Sequence, residues 1–283
     1  AMHPRVQAGR NNCSWRNPCF CRGMSRDLSG RNLSSSHRIG AILQSGQAQF
    51  TVWAPDRDRV EVVLSDGRRV PMKLDDAGYW SASIDGLTAG VRYGYALDGS
   101  TRVLADPASR YQPDGPHGLS ELIEPGQFAW TDATWSGASL IGAVLYEMHV
   151  GTFTHEGTWD AARRHLPELA ALGVTLIEVM PVAEFSGGFG WGYDGVNLYA
   201  PHRGYGRPDD LRRFIDSAHA SGIGVILDVV YNHLGPDGNY LPEFCPRYFS
   251  DRSTDWGPAL NYDGRDSRPV RDFIAGNAEY WIR

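Results

Sequence analysis

The sequence predicts two domains of different class, an antiparallel β-sandwich followed by a parallel α/β sheet. Three observations carry this. Short runs of alternating apolar residues, closed by Gly turns, fill residues 39–105. From Ala143 onward, nearly continuous Val/Ile/Leu strands alternate with amphipathic helical segments. At 283 residues the chain has room for two domains of ordinary size.

The sandwich strands are read from period-two alternation. Ala48, Phe50 and Val52 share one face of a strand, and Val60, Val62 and Leu64 share a face of the next. Asp66 and Gly67 supply a turn before Val70, Met72 and Leu74. Trp80, Ala82 and Ile84 make another set, and Val91, Tyr93, Tyr95 and Leu97 a further one, closed by Asp98 and Gly99. Residues 106–142 hold Pro, Gly and Trp without periodicity and read as a linker that packs across both domains.

The second domain begins with a strand over residues 144–150. A helix starts after Thr158, a residue suited to capping. Its apolar face is Ala162, Leu166, Leu169 and Ala170, and Pro167 within it is expected to kink or restart the helix. The second strand is expected over 176–180. A helix opens at Pro208 with Asp209 and Asp210 in its first turn and closes at Gly222. The third strand is expected over 225–230, then a long loop over 234–268. A last helix carries Val270, Phe273, Ile274, Ala278 and Trp281 on one side. By pattern alone this is a doubly wound sheet or part of a barrel. No Gly-x-Gly-x-x-Gly turn follows the first strand, so nothing supports a dinucleotide site. A complete (β/α)8 barrel needs roughly 250 residues. Residues 143–283 therefore read as an incomplete barrel of three βα units with an open strand edge.

Composition limits the partners. The net charge of −6 gives no footing for a nucleic-acid partner, and no apolar run is long enough to span a membrane. Residues 1–38 hold seven Arg and one acid, a net of +6, which leaves −12 for the remainder. They lack apolar periodicity and are expected to be a disordered or non-native basic segment, with Met24 as an alternative start. Cys13, Cys19 and Cys21 lack a fourth ligand for a zinc site, and Cys245 stands alone in the body of the chain. That usage favours a reducing compartment, and the expected location is cytoplasmic. No metal site and no cofactor are expected.

Candidate chemistry gathers at the carboxyl ends of the three parallel strands, where barrel enzymes keep their sites. The first strand offers Glu147 and His149. The second offers Glu178 and Glu184, followed by Trp191, Tyr193 and Asp194. The third offers Asp228, Asn232 and His233. Taken singly, Asp228 is an ordinary strand-end carboxylate and His233 an ordinary structural histidine. The spacing Asp-x-x-x-Asn-His moves both toward binding. Tyr193, between Gly192 and Asp194 in a polar loop, reads as a stacking platform. Glu147 and His149 read as structural, Glu178 as internally paired, and Trp256 and Tyr262 carry little weight.

The run Asp228-Val229-Val230-Tyr231-Asn232-His233 resembles the first signature of the α-amylase family of glycoside hydrolases. Longer strings narrow this: residues 146–154, 190–196 and 232–241, and Asp106-Pro107-Ala108-Ser109-Arg110-Tyr111-Gln112-Pro113-Asp114-Gly115-Pro116-His117-Gly118. Together they resemble the maltooligosyltrehalose trehalohydrolase branch more than the branching or debranching enzymes. The resemblance implies an immunoglobulin-like N-terminal domain over 39–105 and the first part of a catalytic (β/α)8 barrel. It implies retaining hydrolysis of the α-1,4 bond beside a terminal trehalose, with an Asp nucleophile and a Glu acid/base. It implies sugar stacking on Tyr193, a sugar hydrogen bond from His233, and a supporting role for Asp228, paired with an Arg near the nucleophile. It also implies a loop-holding role for Asn232, with Asp194 beside them. The substrate would be maltooligosyltrehalose or a malto-oligosaccharide, with a maltooligosyltrehalose synthase as pathway partner. The family's Gly-x-Arg-x-Asp nucleophile pattern does not occur. Nucleophile and acid/base are expected beyond Arg283, no catalytic residue is assigned, and the chain is expected to be inactive alone. The alternatives are a fragment of a branching or debranching enzyme and a non-catalytic glucan-binding fragment.

Overall fold

The computed structural model describes residues 39–283; the basic segment 1–38 and its three Cys lie outside them. Two antiparallel sheets form the sandwich. The first combines β1 (Gly40–Gln44), β2 (Gln47–Trp53), β6 (Tyr79–Asp85) and β5 (Lys73–Leu74), in that order. The second combines β4 (Arg69–Pro71), β3 (Val60–Leu64), β7 (Arg92–Leu97) and β8 (Ser120–Glu121). Phe50 pairs with Ala82 and Val62 with Tyr95, so the alternating residues meet between the sheets. Ala48, Phe50, Val52, Val60, Val62, Tyr93 and Tyr95 are buried together there.

The segment expected as a linker is part of this structure. Ser120 pairs with Tyr93 and makes β8 the edge of the second sheet. The stretch before it lies on that sheet so closely that a Cβ at Gly94 would sit 2.5 Å from the carbonyl of Leu104. Several of its buried polar side chains find partners within the segment or on the adjoining sheet. Asp106 accepts from the Tyr93 hydroxyl at 2.7 Å and from the Ala108 N–H at 2.8 Å. Burial pushes the Asp106 carboxyl above its usual range, against the pull of those donors.

The second half is built on a three-stranded parallel sheet of β13 (Gly224–Leu227), β10 (Leu176–Val179) and β9 (Leu145–Met148). His149 follows β9 and precedes a single turn, α1 (Val150–Phe153). The Thr158 hydroxyl then caps α2 (Trp159–Arg163), accepting from the Ala161 N–H at 3.3 Å. Pro167 does restart the helix, sitting in the first turn of α3 (Leu166–Ala171). Between β10 and β13 come the short pair β11 (Ala183–Glu184) and β12 (Asn197–Pro201), then α4 (Pro208–Ala220). Met148, Ile177 and Val179 pack with Trp159, Leu211, Phe214 and Ala218 on the helical side of the sheet. The opposite face carries Leu145, Glu147, Leu176, Glu178 and Ile226, by strand alternation.

The third strand stops at Leu227 rather than Val230. Leu227 pairs with Val179, the last residue of β10, and the Asp228 N–H to Val179 carbonyl bond ends the ladder. The expected long loop also has structure. It contains α5 (Leu241–Phe244), a 3-10 turn (Pro246–Tyr248), and a hairpin of β14 (Phe249–Thr254) and β15 (Gly257–Leu260). The chain then runs into α6 (Ser267–Ile282). Phe244 leaves this loop to join the sandwich core, and Trp53 and Tyr79 join a cluster with Leu198, Tyr248, Val270 and Phe273.

Candidate functional site

Glu147 and Glu178 are cross-strand partners, so both carboxylates stand on the face away from the helices. Asp228 follows Ile226 by two residues and joins them at the carboxyl end of β13. The Tyr193 hydroxyl donates to Asp228 Oδ2 at 3.3 Å. Partial desolvation, then the negative charges of Asp228, Glu147 and Glu178, push the Tyr193 phenol up. The phenol therefore stays neutral and remains a donor. Its ring is 39% exposed, which leaves surface for a ligand to stack on.

Two glycines set the loop that presents Tyr193. Gly192 has φ +91°, and a Cβ there would lie 1.8 Å from the Pro181 carbonyl oxygen. Gly235 lies against the loop from the other side, where a Cβ would meet the Asp194 carbonyl oxygen at 2.1 Å. The Gly235 N–H also donates to Gly195 at 3.1 Å. The two rim loops thus interlock backbone to backbone. Gly235→Ala is expected to separate them and destabilise the fold by about 1–3 kcal/mol, the usual range for overpacking. Urea unfolding checks this, and a variant as stable as the parent would contradict the close contact.

The remaining expected residues lie beside this pair. His233 is 8% exposed, and its Nδ1 is 3.0 Å from Asn232 Oδ1. Asn232 makes no other side-chain hydrogen bond among the described residues, so the loop is held elsewhere. Gly235 is one anchor. Asp237 is another: it accepts from Ser186 and lies 3.3 Å from His117 Nε2, and these contacts hold its carboxyl below the usual range. Asp194 contributes its backbone to the interlock while its side chain is exposed. Asp228, expected beside an Arg, has Tyr193 as its side-chain partner among the described residues.

Other rim candidates are structural. His149 Nε2 lies 2.8 Å from the Gly190 carbonyl, and its Nδ1 lies 3.1 Å from the Thr152 hydroxyl. Glu184 is fully buried and paired with Arg203. Glu178, expected to pair internally, forms no ion pair among the described residues. Tyr262 donates its hydroxyl to the Tyr231 carbonyl. Trp256 departs from the sequence reading. It sits in the turn between β14 and β15, is 69% exposed, and stacks on His233 at 6.0 Å between centroids and 27° between planes. Its signal was available only through the hairpin, which the loop composition did not announce. Two more aromatic rings, Phe189 and Trp191, stand exposed on the loop before Tyr193.

Exposed rings beside a hydrogen-bonded carboxylate, a phenol and an imidazole suit a ligand with apolar faces and many hydroxyls. Among the described residues no group of three or more His, Cys, Asp or Glu is gathered to hold a metal ion.

Comparison with known proteins agrees with this chemistry. Residues 122–270 match the alpha amylase catalytic domain, and residues 37–109 match carbohydrate-binding module 48, the isoamylase N-terminal domain. The chain is 49% identical over 238 residues to a malto-oligosyltrehalose trehalohydrolase of Arthrobacter ramosus, covering 83% of this chain and 41% of that protein. It is 47% identical over 243 residues to the enzyme of the same name from Rhizobium sp. (strain M-11), covering 84% and 41%. A Salmonella typhimurium crystal structure named for alpha amylase superposes with a TM-score of 0.82 at 44% identity, covering 87% of this chain and 41% of that one. The chain thus spans about two fifths of the length of these curated relatives. With the catalytic-domain match extending over more than half of its residues, the chain belongs to the alpha-amylase family.

Proposed function

We propose that this chain carries the sugar-binding rim of a retaining glycoside hydrolase that releases trehalose from maltooligosyltrehalose by cleaving the adjacent α-1,4 bond. In this reading residues 39–105 are the core of the immunoglobulin-like domain. Residues 143–283 are the first three βα units of the eight-fold barrel. Tyr193 stacks on the glucosyl unit at the cleavage point, His233 and Asp228 bind its hydroxyls, and Trp256 closes the platform beside His233. Asn232 orients His233, and Asp194 borders the site. A maltooligosyltrehalose synthase would supply the substrate, and the setting is cytoplasmic. We assign neither nucleophile nor acid/base within these residues, so the proposed role of the chain itself is recognition, without turnover.

What supports this reading is the Tyr193–Asp228 hydrogen bond and the His233–Trp256 stack, each with an exposed ring, on loops that the Gly235 N–H to Gly195 carbonyl bond joins. Its test is a calorimetric titration of the purified chain with maltotriosyltrehalose and maltoheptaose. Saturable binding is expected, with Tyr193→Ala weakening it at least about tenfold, the equivalent of about 1.4 kcal/mol. No trehalose is expected in the mixture. Binding indifferent to Tyr193→Ala would remove the site assignment, and trehalose release by the chain would overturn the absence of turnover.

A further inference from the structure

The module matched as carbohydrate-binding has no free aromatic surface. Its six aromatic residues over 39–105 are Phe50, Trp53, Tyr79, Trp80, Tyr93 and Tyr95, and every one is buried. Trp80 donates its indole N–H to the Ala54 carbonyl at 2.9 Å. Tyr93 is turned onto Asp106. Two of the rings meet the loop that follows β13. Trp53 lies edge-on to Tyr248 at 5.0 Å, and Tyr95 edge-on to Phe244 at 5.9 Å. Polar contacts ring this join. Arg57 donates to the Glu243 carbonyl, and Arg102 to the Glu243 carboxylate at 2.9 and 3.1 Å. Arg247 reaches back to Asp56 at 2.8 Å, and the Arg102 guanidinium lies 5.1 Å from the Tyr240 ring centroid.

The held segment, residues 240–248, lies between His233 and Trp256 in the chain. Those two rings stack on each other at the rim, so they are the ends of a loop whose middle is fixed to the sandwich. Fixing the middle lowers the conformational entropy that the ends lose when a ligand binds. Stacking on a sugar face needs an exposed ring; here two of the rings are committed to this contact and the other four are buried.

We propose that the sandwich is a positioning element for the rim loop: its surface takes residues 240–248 of the same chain as its partner and takes no glucan. Arg57, Arg102 and Phe244 are then positioning residues that act through His233 and Trp256. The link to sugar affinity rests on the site reading above; the clamp itself does not.

The test uses the whole 283-residue chain and the double variant Arg57→Ala/Arg102→Ala. Both side chains are partly exposed, so their removal leaves the core intact. Hydrogen exchange is expected to accelerate roughly tenfold over residues 240–260 and to stay unchanged over β2, β3 and β6, as local loss of support requires. Affinity for maltoheptaose is expected to fall roughly fivefold, in line with the loss of two charged hydrogen-bonding groups. Arg57→Lys/Arg102→Lys should restore part of it. Unchanged exchange in the loop, or equal acceleration throughout the sandwich, overturns the proposal. So does saturable maltoheptaose binding that survives Tyr193→Ala/Trp256→Ala and slows hydrogen exchange over β2, β3 or β6, because that places a glucan site on the sandwich. If the parent chain binds no maltoheptaose, the rim assignment falls, and the exchange result still decides the clamp.

Discussion

Glu184→Ala is expected to destabilise the chain by about 3–5 kcal/mol, the range for removing one partner of a buried ion pair. Glu184 is fully buried at the end of β11. Its carboxylate accepts from the Arg203 side chain and from the Arg203 backbone N–H at 2.7 Å, and it faces His202 Nδ1 at 3.3 Å. Arg203 continues to the carbonyls of Phe185 at 3.2 Å and Gly187 at 2.9 Å. His202 stacks on Phe185 at 3.9 Å. An Ala at 184 would leave the Arg203 backbone N–H without its acceptor and the guanidinium with only carbonyl oxygens in place of its counter-charge. The loss extends to function, because Arg203 fixes the start of the loop that ends in Tyr193. Glu184→Gln keeps an acceptor for the N–H and is expected to lose less. Urea unfolding of the three proteins, at unchanged m-value, measures both effects. A loss below about 1 kcal/mol for the Ala variant would mean the pair behaves like a surface one.

That network also shows what the sequence conceals. Alternation at Ala48, Phe50 and Val52 reveals a strand because the burial rule acts on neighbours two residues apart. The helix signals at Thr158, Pro167 and Pro208 are equally local, and the structure places helix starts at all three. Glu184 and Arg203 are nineteen residues apart and lie in no repeat, so no period announces them. The segment 106–122 is concealed for a related reason. It is held by Asp106, Ser109 and Gln112, which bond nearby backbone and side-chain groups rather than following an apolar rhythm. At the rim, the sequence pointed to Tyr193, Asp228 and His233 through motif context; the structure joins Tyr193 to Asp228 by a hydrogen bond and sets His233 against Asn232 and Trp256. It did not point to Trp256, whose position depends on the β14–β15 hairpin folding back over His233. Nor did it show that Asn232 would bond its neighbour while glycines held the loop. Contacts of a glycine Cα with a distant carbonyl leave no mark in composition.

Phe244→Ala carries the other large expected effect, about 3–5 kcal/mol for truncating a fully buried Phe. Phe244 belongs by sequence to the loop after β13, yet it is part of the sandwich's core cluster, edge-on to Tyr95 at 5.9 Å. A cavity there is therefore a defect in both halves at once. The sandwich loses a ring of its core cluster, and α5 loses one of its two buried residues, leaving Leu241. For a chain of this size the corresponding fall in Tm is roughly 6–20 °C. Because the ring is shared, near-ultraviolet circular dichroism and Trp fluorescence should report one transition that moves as a unit. Phe244→Leu retains most of the volume and is expected to shift the same single transition by a smaller amount. Two separable transitions, with only one responding to Phe244→Ala, would show that the halves fold independently. The ring would then serve the sandwich alone, and the support it lends to the rim loop would have to come from Arg57 and Arg102.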